Sequence, residues 1–92
     1  MHRVYMYFFV RGGDPPGSDR EVWVLNFLEP DLQTPIGKIR SCSSVDQVRG
    51  MARRGGGLRT TEAVDGFEAA IKHGRGDVWL ELTAEQYSAL KT

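Results

Sequence analysis

A basic stretch of the chain holds the side chains best suited to chemistry. Positions 38–59 contain six basic residues and a single acidic one, Asp46, which gives a charge balance of +5. The glycine run 55–57 interrupts this stretch ahead of a predicted helix. Free N–H groups at a helix N-terminus beside guanidinium groups suit a bound anion. The candidate residues for phosphate or nucleic-acid binding are Lys38, Arg40, Arg49, Arg53, Arg54 and Arg59.

The glycine run does not complete either familiar phosphate-binding motif. Gly50 and Gly55 have the spacing of a P-loop, but glycines stand where that motif requires lysine and a hydroxyl residue. A helix is predicted before the loop, where a P-loop has a strand, and no G-x-G-x-x-G follows a predicted strand. The pattern therefore favours a structural interpretation, in which the glycines end one helix and let the chain reverse.

Other reactive side chains are few and dispersed. Cys42 is the one cysteine of the chain, so no disulfide can form within it, and a small buried hydrophobic role is favoured over a reactive thiol. His2, expected in a frayed terminus, and His73 do not suggest a metal site. Solvation in loops explains two candidate acid–base pairs better than catalysis does: Asp14 with Asp19, and Glu29 with Asp31. We therefore expect no catalytic residue, no metal and no cofactor.

Hydrophobic periodicity and capping residues predict an α+β fold. Capping boxes at Ser44 with Gln47 and at Thr83 with Gln86 favour two helix starts, and Gly74 is a natural helix end. The tripeptide 75–77, Arg-Gly-Asp, is interpreted as a turn before a strand. The predicted strands are 3–10, 21–28, a short 36–42 and 77–83, and the predicted helices are 45–54, 62–73 and 84–91.

This order, β-β-(β)-α-α-β-α, predicts a single domain over residues 1–92. The expected architecture is a small, mostly antiparallel sheet of three or four strands, with two helices packed on one face and a short C-terminal helix. Residues 11–20, rich in glycine and proline, form the predicted loop between the first two strands.

Both faces of the predicted sheet are apolar, which is unusual for an antiparallel sheet. If neighbouring strands place their aliphatic residues on one face and their aromatic residues on the other, the two longer helices cover the aliphatic face. Only the last helix is then left to cover the aromatic face. An uncovered aromatic face marks an interface or a ligand site. If the last helix and the loops instead fold over this face, no such site remains. The residues assigned to the aromatic face are Tyr5, Tyr7, Phe9, Trp23, Phe27 and Trp79.

Composition and charge narrow the class of function. The net charge of zero argues against a chain devoted to nucleic acid, the single cysteine favours a reducing cytoplasm, and no apolar run reaches the ~20 residues that span a membrane. We expect a non-enzymatic interaction or regulatory module that forms a homodimer through the aromatic face. The alternatives are anion or nucleic-acid binding through the basic stretch 38–59, and small-molecule binding or catalysis in an aromatic pocket.

Overall fold

The α+β architecture is confirmed by a computed structural model, which describes residues 1–12 and 21–92. Within these residues the chain forms four strands and three helices in the order β-β-β-α-α-β-α. Most of the predicted loop between the first two strands, with Asp14 and Asp19, lies outside the described residues. The elements are β1 His2–Arg11, β2 Val22–Leu28, β3 Arg40–Cys42, α1 Val45–Arg54, α2 Thr61–His73, β4 Arg75–Leu82 and α3 Ala84–Lys91.

The strands form one antiparallel sheet in the order β3-β2-β1-β4. β1 is therefore an interior strand, paired with β2 on one side and with β4, from the other half of the chain, on the other. β4 also begins earlier than predicted, so the Arg-Gly-Asp tripeptide 75–77 is part of a strand and its interpretation as a turn is wrong. β3 is shorter than the predicted 36–42.

The register of the sheet corrects the assumed alignment of β2. Directly opposed residues on antiparallel strands point to the same face. Phe8 lies opposite Leu25, and Val10 lies opposite Trp23. Trp23 and Phe27 therefore share the face of Phe8, and their assignment to the aromatic face is wrong. β2 is apolar on both sides, so its alternation alone could not select the face that is covered.

We call the covered side of the sheet the inner face. The helices α1, α2 and α3 all contribute to one buried cluster on it, with Val48, Phe67 and Leu90 as representative contacts. The prediction that the last helix lies on the aromatic side is therefore wrong. α3 is held on the inner side because Leu90 packs into the cluster and the Arg40 guanidinium donates to the carbonyl of Ala89 at 2.9 Å. The inner-face strand residues of the cluster are Val4, Met6, Phe8, Trp23, Leu25, Phe27, Leu80 and Leu82.

Two of the predicted helix ends are confirmed and one is corrected. Thr83 and Gln86 form the capping box at the start of α3, and Gly74 ends α2 at a φ of 80°. At the start of α1, the Ser44 hydroxyl accepts from the N–H of Asp46, and the Gln47 N–H donates to the Ser44 carbonyl, each at 3.1 Å. Ser44 therefore caps α1, but not by accepting from the Gln47 N–H as the predicted box requires.

The glycine run 55–57 is a tight joint between α1 and α2. Gly56 has a φ of 74°, a left-handed conformation in which glycine is favoured. A Cβ placed on Gly57 would lie 2.6 Å from a methyl of Val78, so only a glycine lets the chain pass this close to β4. The Gly55 carbonyl also accepts from the N–H of Glu81 at 2.7 Å, which partly caps the free edge of β4. These contacts support the structural interpretation of the glycines.

Candidate functional site

The side of the sheet opposite the inner face, here called the outer face, is the candidate functional site. It is formed by alternate residues of β1, β2 and β4, because neighbouring side chains on a strand point to opposite sides. Tyr7 and Trp79 are each 37% exposed, whereas Val24 and Asn26 on β2 are buried. The exposed part of the outer face is therefore concentrated on β1 and β4. Four of the six predicted aromatic residues lie here: Tyr5, Tyr7, Phe9 and Trp79.

Tyr5 lies at the centre of an aromatic cluster on the outer face. Its ring centroid is 5.1 Å from that of Trp79 and 6.4 Å from that of Tyr7, and both ring pairs are tilted. The Arg3 guanidinium carbon lies 4.2 Å from the centroid of the Trp79 ring, a cation–π contact. Tilted aromatic pairs and cation–π contacts are each favourable, so the cluster is stabilised by contacts among its own members.

A carboxylate lies beside this cluster. The Tyr5 hydroxyl donates a hydrogen bond of 2.5 Å to Oδ2 of Asp77. This hydrogen bond, together with burial and the negative charge of Asp77, raises the pKa of Tyr5 to about 12. The phenol therefore stays neutral at physiological pH and acts as a hydrogen-bond donor rather than as a base.

An open groove of about 790 Å³ runs along the outer face from the aromatic cluster to the start of β4. Tyr5, Tyr7 and Phe9 contribute one wall, and Arg75 and Asp77 contribute charged groups to the other. Aromatic rings beside a cation and an anion can accept a side-chain surface that is itself mixed apolar and charged. His73 also lines the groove.

Charges frame the aromatic cluster at both ends. Arg3 and Glu81 are cross-strand neighbours at one end, and Arg75 is the cross-strand neighbour of Phe9 at the other. Glu81 is also 3.5 Å from the guanidinium of Arg59. The outer face therefore has an apolar centre with a polar rim, which is the usual organisation of a protein–protein interface.

Three of the basic residues predicted to bind an anion make polar contacts within the chain. Arg40 donates to the C-terminal carbonyls of α3, and Arg59 pairs with Glu81. Arg49 forms a bidentate ion pair with Glu68, in which its Nε and Nη2 atoms donate to the two carboxylate oxygens at 2.8 and 2.9 Å. Its Nη1 atom also donates to Asp46. The Arg49–Glu68 pair lowers the pKa of Glu68 and links α1 to α2.

Lys38, Arg53 and Arg54 complete the predicted basic set. Lys38 precedes β3, while Arg53 and Arg54 are exposed at the C-terminal end of α1, where positive charge is favourable to the helix dipole. Arg40, Arg49 and Arg59 therefore make contacts within the chain, and anion binding through the stretch 38–59 stays a prediction.

The remaining candidate side chains also have structural roles. Cys42 is half-buried, and burial raises its pKa, which disfavours the reactive thiolate. Glu29 accepts a 2.6 Å hydrogen bond from the Tyr87 hydroxyl, while Asp31 accepts from Thr34, which lowers the pKa of Asp31. His2 lies in β1 and stacks on Tyr87 at 4.3 Å, so the expectation of a frayed terminus is wrong.

Sequence reasoning missed Arg75 and Asp77 as outer-face residues. The predicted strand began too late, at residue 77, because the Arg-Gly-Asp tripeptide has the composition of a turn. The alternation of polar and apolar residues nevertheless continues through the tripeptide, with Trp79 on the same face. Position 76 requires a glycine in this strand, because a Cβ there would lie 2.4 Å from that of Ala70 on α2.

Comparison with protein-family models, curated proteins and solved structures found no match. Within residues 1–12 and 21–92, His, Cys, Asp and Glu side chains form no group that could hold a metal ion. In the same residues, no helix has the length and apolar character needed to cross a bilayer.

Proposed function

We propose that this protein is a small, non-enzymatic interaction module of the cytoplasm that forms a homodimer through its outer face. The observation that carries the proposal is the placement of the aromatic cluster. α1, α2 and α3 all pack on the inner face, while Tyr7 and Trp79 remain exposed on the other side. Burying such rings against a partner is favourable, because each aromatic side chain can bury ~150–250 Å².

The area of the outer face matches a weak rather than a permanent dimer. The exposed part of the outer face lies on β1 and β4, whose ladder has eight residue pairs. With ~3.4 Å per residue and ~4.8 Å between strands, this part projects on the order of 250 Å². Standard interfaces bury about 800 Å² per partner, and smaller ones are usually transient. We therefore expect a dissociation constant in the micromolar range, about 1–100 μM.

A second copy is the simplest partner for this face. Two-fold self-association is the commonest oligomeric arrangement, and it needs only one surface that is complementary to itself. The outer face carries both signs of charge around its aromatic centre, from Arg3, Arg75, Asp77 and Glu81, so two copies can meet without an excess of like charge.

The experiment is sedimentation velocity across a concentration series from about 1 μM to 1 mM, a range that brackets the expected dissociation constant. Wild-type protein should move from the 10.3 kDa single chain toward twice that mass as concentration rises. Tyr7→Glu should shift the transition at least ~30-fold higher, because burying an unpaired carboxylate in an interface costs about 2 kcal/mol or more.

Val64→Glu is the matched control for Tyr7→Glu. Val64 is also 37% exposed but lies on α2, away from the outer face. Circular dichroism should show that both variants fold, and Val64→Glu should dimerise like the wild type. A wild-type chain that stays monomeric at 1 mM, or a folded Tyr7→Glu variant that dimerises normally, would contradict the proposal.

A further inference from the structure

We propose that the two-fold axis of this homodimer runs parallel to the strands, between β1 and β4, so that β1 of one copy faces β4 of the other. The inference rests on the proposed function and specifies how the two outer faces meet. It follows from a pattern in the β1–β4 ladder. The cross-strand pairs of the exposed part of the outer face are Arg3 with Glu81, Tyr5 with Trp79, Tyr7 with Asp77, and Phe9 with Arg75.

Each of these cross-strand pairs joins two groups that attract one another. Arg3 with Glu81 is a cation and a carboxylate, and Tyr5 with Trp79 is an aromatic pair. Tyr7 with Asp77 places a hydroxyl beside a carboxylate, and Phe9 with Arg75 places a ring beside a cation. An axis along the strands between β1 and β4 exchanges the two members of every pair across the interface. Each attractive combination then recurs twice between the copies.

The polar groups needed for these contacts are accessible. The Glu81 side chain is 53% exposed, and its pair with Arg59 is long, at 3.5 Å. The cation–π contact with Trp79 holds the Arg3 guanidinium on the outer face. Asp77 receives the Tyr5 hydroxyl at Oδ2, and within residues 1–12 and 21–92 its Oδ1 accepts no hydrogen bond. That oxygen can accept one from the partner's Tyr7.

Axes that run across the strands give poorer or different matches. An axis through the Tyr7–Asp77 pair sets Asp77 against the same residue of the other copy, and places Arg3 toward Arg11 of that copy, so like charges meet. An axis between the Tyr7 and Tyr5 positions instead brings Arg75 of one copy to Glu81 of the other and leaves Arg3 facing Phe9. The competing arrangements therefore differ in the role of Arg3.

Charge reversal at Arg3 and Glu81 separates these arrangements. Arg3→Glu places a carboxylate opposite Glu81 at each of the two symmetric contacts, and Glu81→Arg places a cation opposite Arg3 at each of them. Each variant alone should dimerise at least ~10-fold more weakly than the wild type, because each creates two like-charge contacts. An equimolar mixture should recover an affinity within about threefold of the wild type, since the mixed dimer restores opposite charges at both positions.

Sedimentation velocity measures the affinities, and native mass spectrometry identifies the mixed dimer from the different masses of the two chains. Lys72→Glu, an equally large charge change at an exposed position of α2, is the control and should leave the affinity unchanged. If Arg3→Glu does not fold, Arg3→Gln removes the charge without reversing it and should still weaken the dimer.

The outcomes distinguish this inference from the proposed function. A wild-type chain that does not dimerise contradicts the proposed function itself. A dimer that is weakened by Glu81→Arg but not by folded Arg3 variants overturns the axis along the strands and favours one across them. A mixture that dimerises no better than the separate variants also overturns the inference, while the outer-face homodimer stands.

Discussion

The two tryptophans of this protein show how differently the two faces of one sheet are used. Trp23 on the inner face is 1% exposed, whereas Trp79 on the outer face is 37% exposed. Trp23 contacts the hydrocarbon core, with the Phe8 ring 6.1 Å away, while Trp79 contacts the cation of Arg3 and the ring of Tyr5. An apolar strand pattern therefore marks a surface to be buried, but the helices decide which surface the chain buries by itself.

The largest expected difference between the two faces is in stability. Trp23→Ala should lower the free energy of unfolding by about 3–5 kcal/mol, because it leaves a cavity in the buried cluster. Trp79→Ala should cost less in the monomer, about 1–2 kcal/mol, because this residue is 37% exposed and so loses a smaller buried area. Urea unfolding at a protein concentration of about 0.05 μM, well below the expected dissociation constants, keeps the chains almost entirely monomeric.

Substitutions at the two tryptophans should also differ in their effect on dimerisation. Trp79→Ala should weaken the dimer, since it removes apolar area from the outer face, whereas any folded Trp23 variant should leave it intact. Trp23→Phe is suited to this control, because it keeps most of the buried volume. Equal destabilisation by Trp23→Ala and Trp79→Ala would mean that the outer face is buried within the monomer.

A smaller difference in stability is expected between alanine substitutions at two glycines on either side of the space between α2 and β4. Gly57→Ala should destabilise the protein by about 1–3 kcal/mol, because a Cβ there would lie 2.6 Å from the Val78 methyl and 3.0 Å from the Trp79 carbonyl oxygen. Gly66→Ala, within α2, should stabilise it by about 1 kcal/mol, because alanine favours a helix and its Cβ meets no atom within 4 Å. Thermal unfolding of the two variants tests the opposite signs; a Gly57→Ala variant as stable as the wild type would contradict the tight joint.

The smallest expected effect concerns the titration of Tyr5. Its folded pKa of about 12 lies above the ordinary tyrosine value of 10.0, so the hydrogen bond to Asp77 contributes stability that is fully present below pH 10 and is lost as the pH rises through 12. Ultraviolet absorbance should show one tyrosine that ionises near pH 12, and Asp77→Asn should lower that pKa toward 10. Glu62→Gln, an acid-to-amide change at an exposed position of α2, should leave it in place. Loss of the high-pH tyrosine in the control, or its persistence in Asp77→Asn, would remove Asp77 as the cause.

The elements of the fold were predictable because their signals are local. The alternation of β1, the stripe on α2 and the Thr83–Gln86 box each depend on residues close in sequence. The pairing of the strands was not predictable, because β2 is apolar on both sides and its register depends on contacts with distant residues. This non-local choice placed Trp23 and Phe27 in the core.

The candidate site was predictable in part for the same reason. The alternation of β1 placed Tyr5, Tyr7 and Phe9 together, and the register of β4 agrees with the assumed alignment that placed Trp79 with them. The charges around them were missed, because Arg75 and Asp77 belong to a tripeptide with the composition of a turn. The ion pair of Arg49 with Glu68 bridges two helices, so the sequence alone presented Arg49 as a free cation.

The position of β1 between β2 and β4 has a consequence for folding during synthesis. β1 comprises residues 2–11, and β4, its partner along one edge, comprises residues 75–82. A growing chain therefore displays the aromatic β1 with one side unpaired until more than 60 further residues have been added. During that interval, pairing with a foreign strand competes with native pairing, and chaperone binding or slow aggregation should concentrate there. Chain truncations that end before Arg75 should consequently be the most insoluble ones.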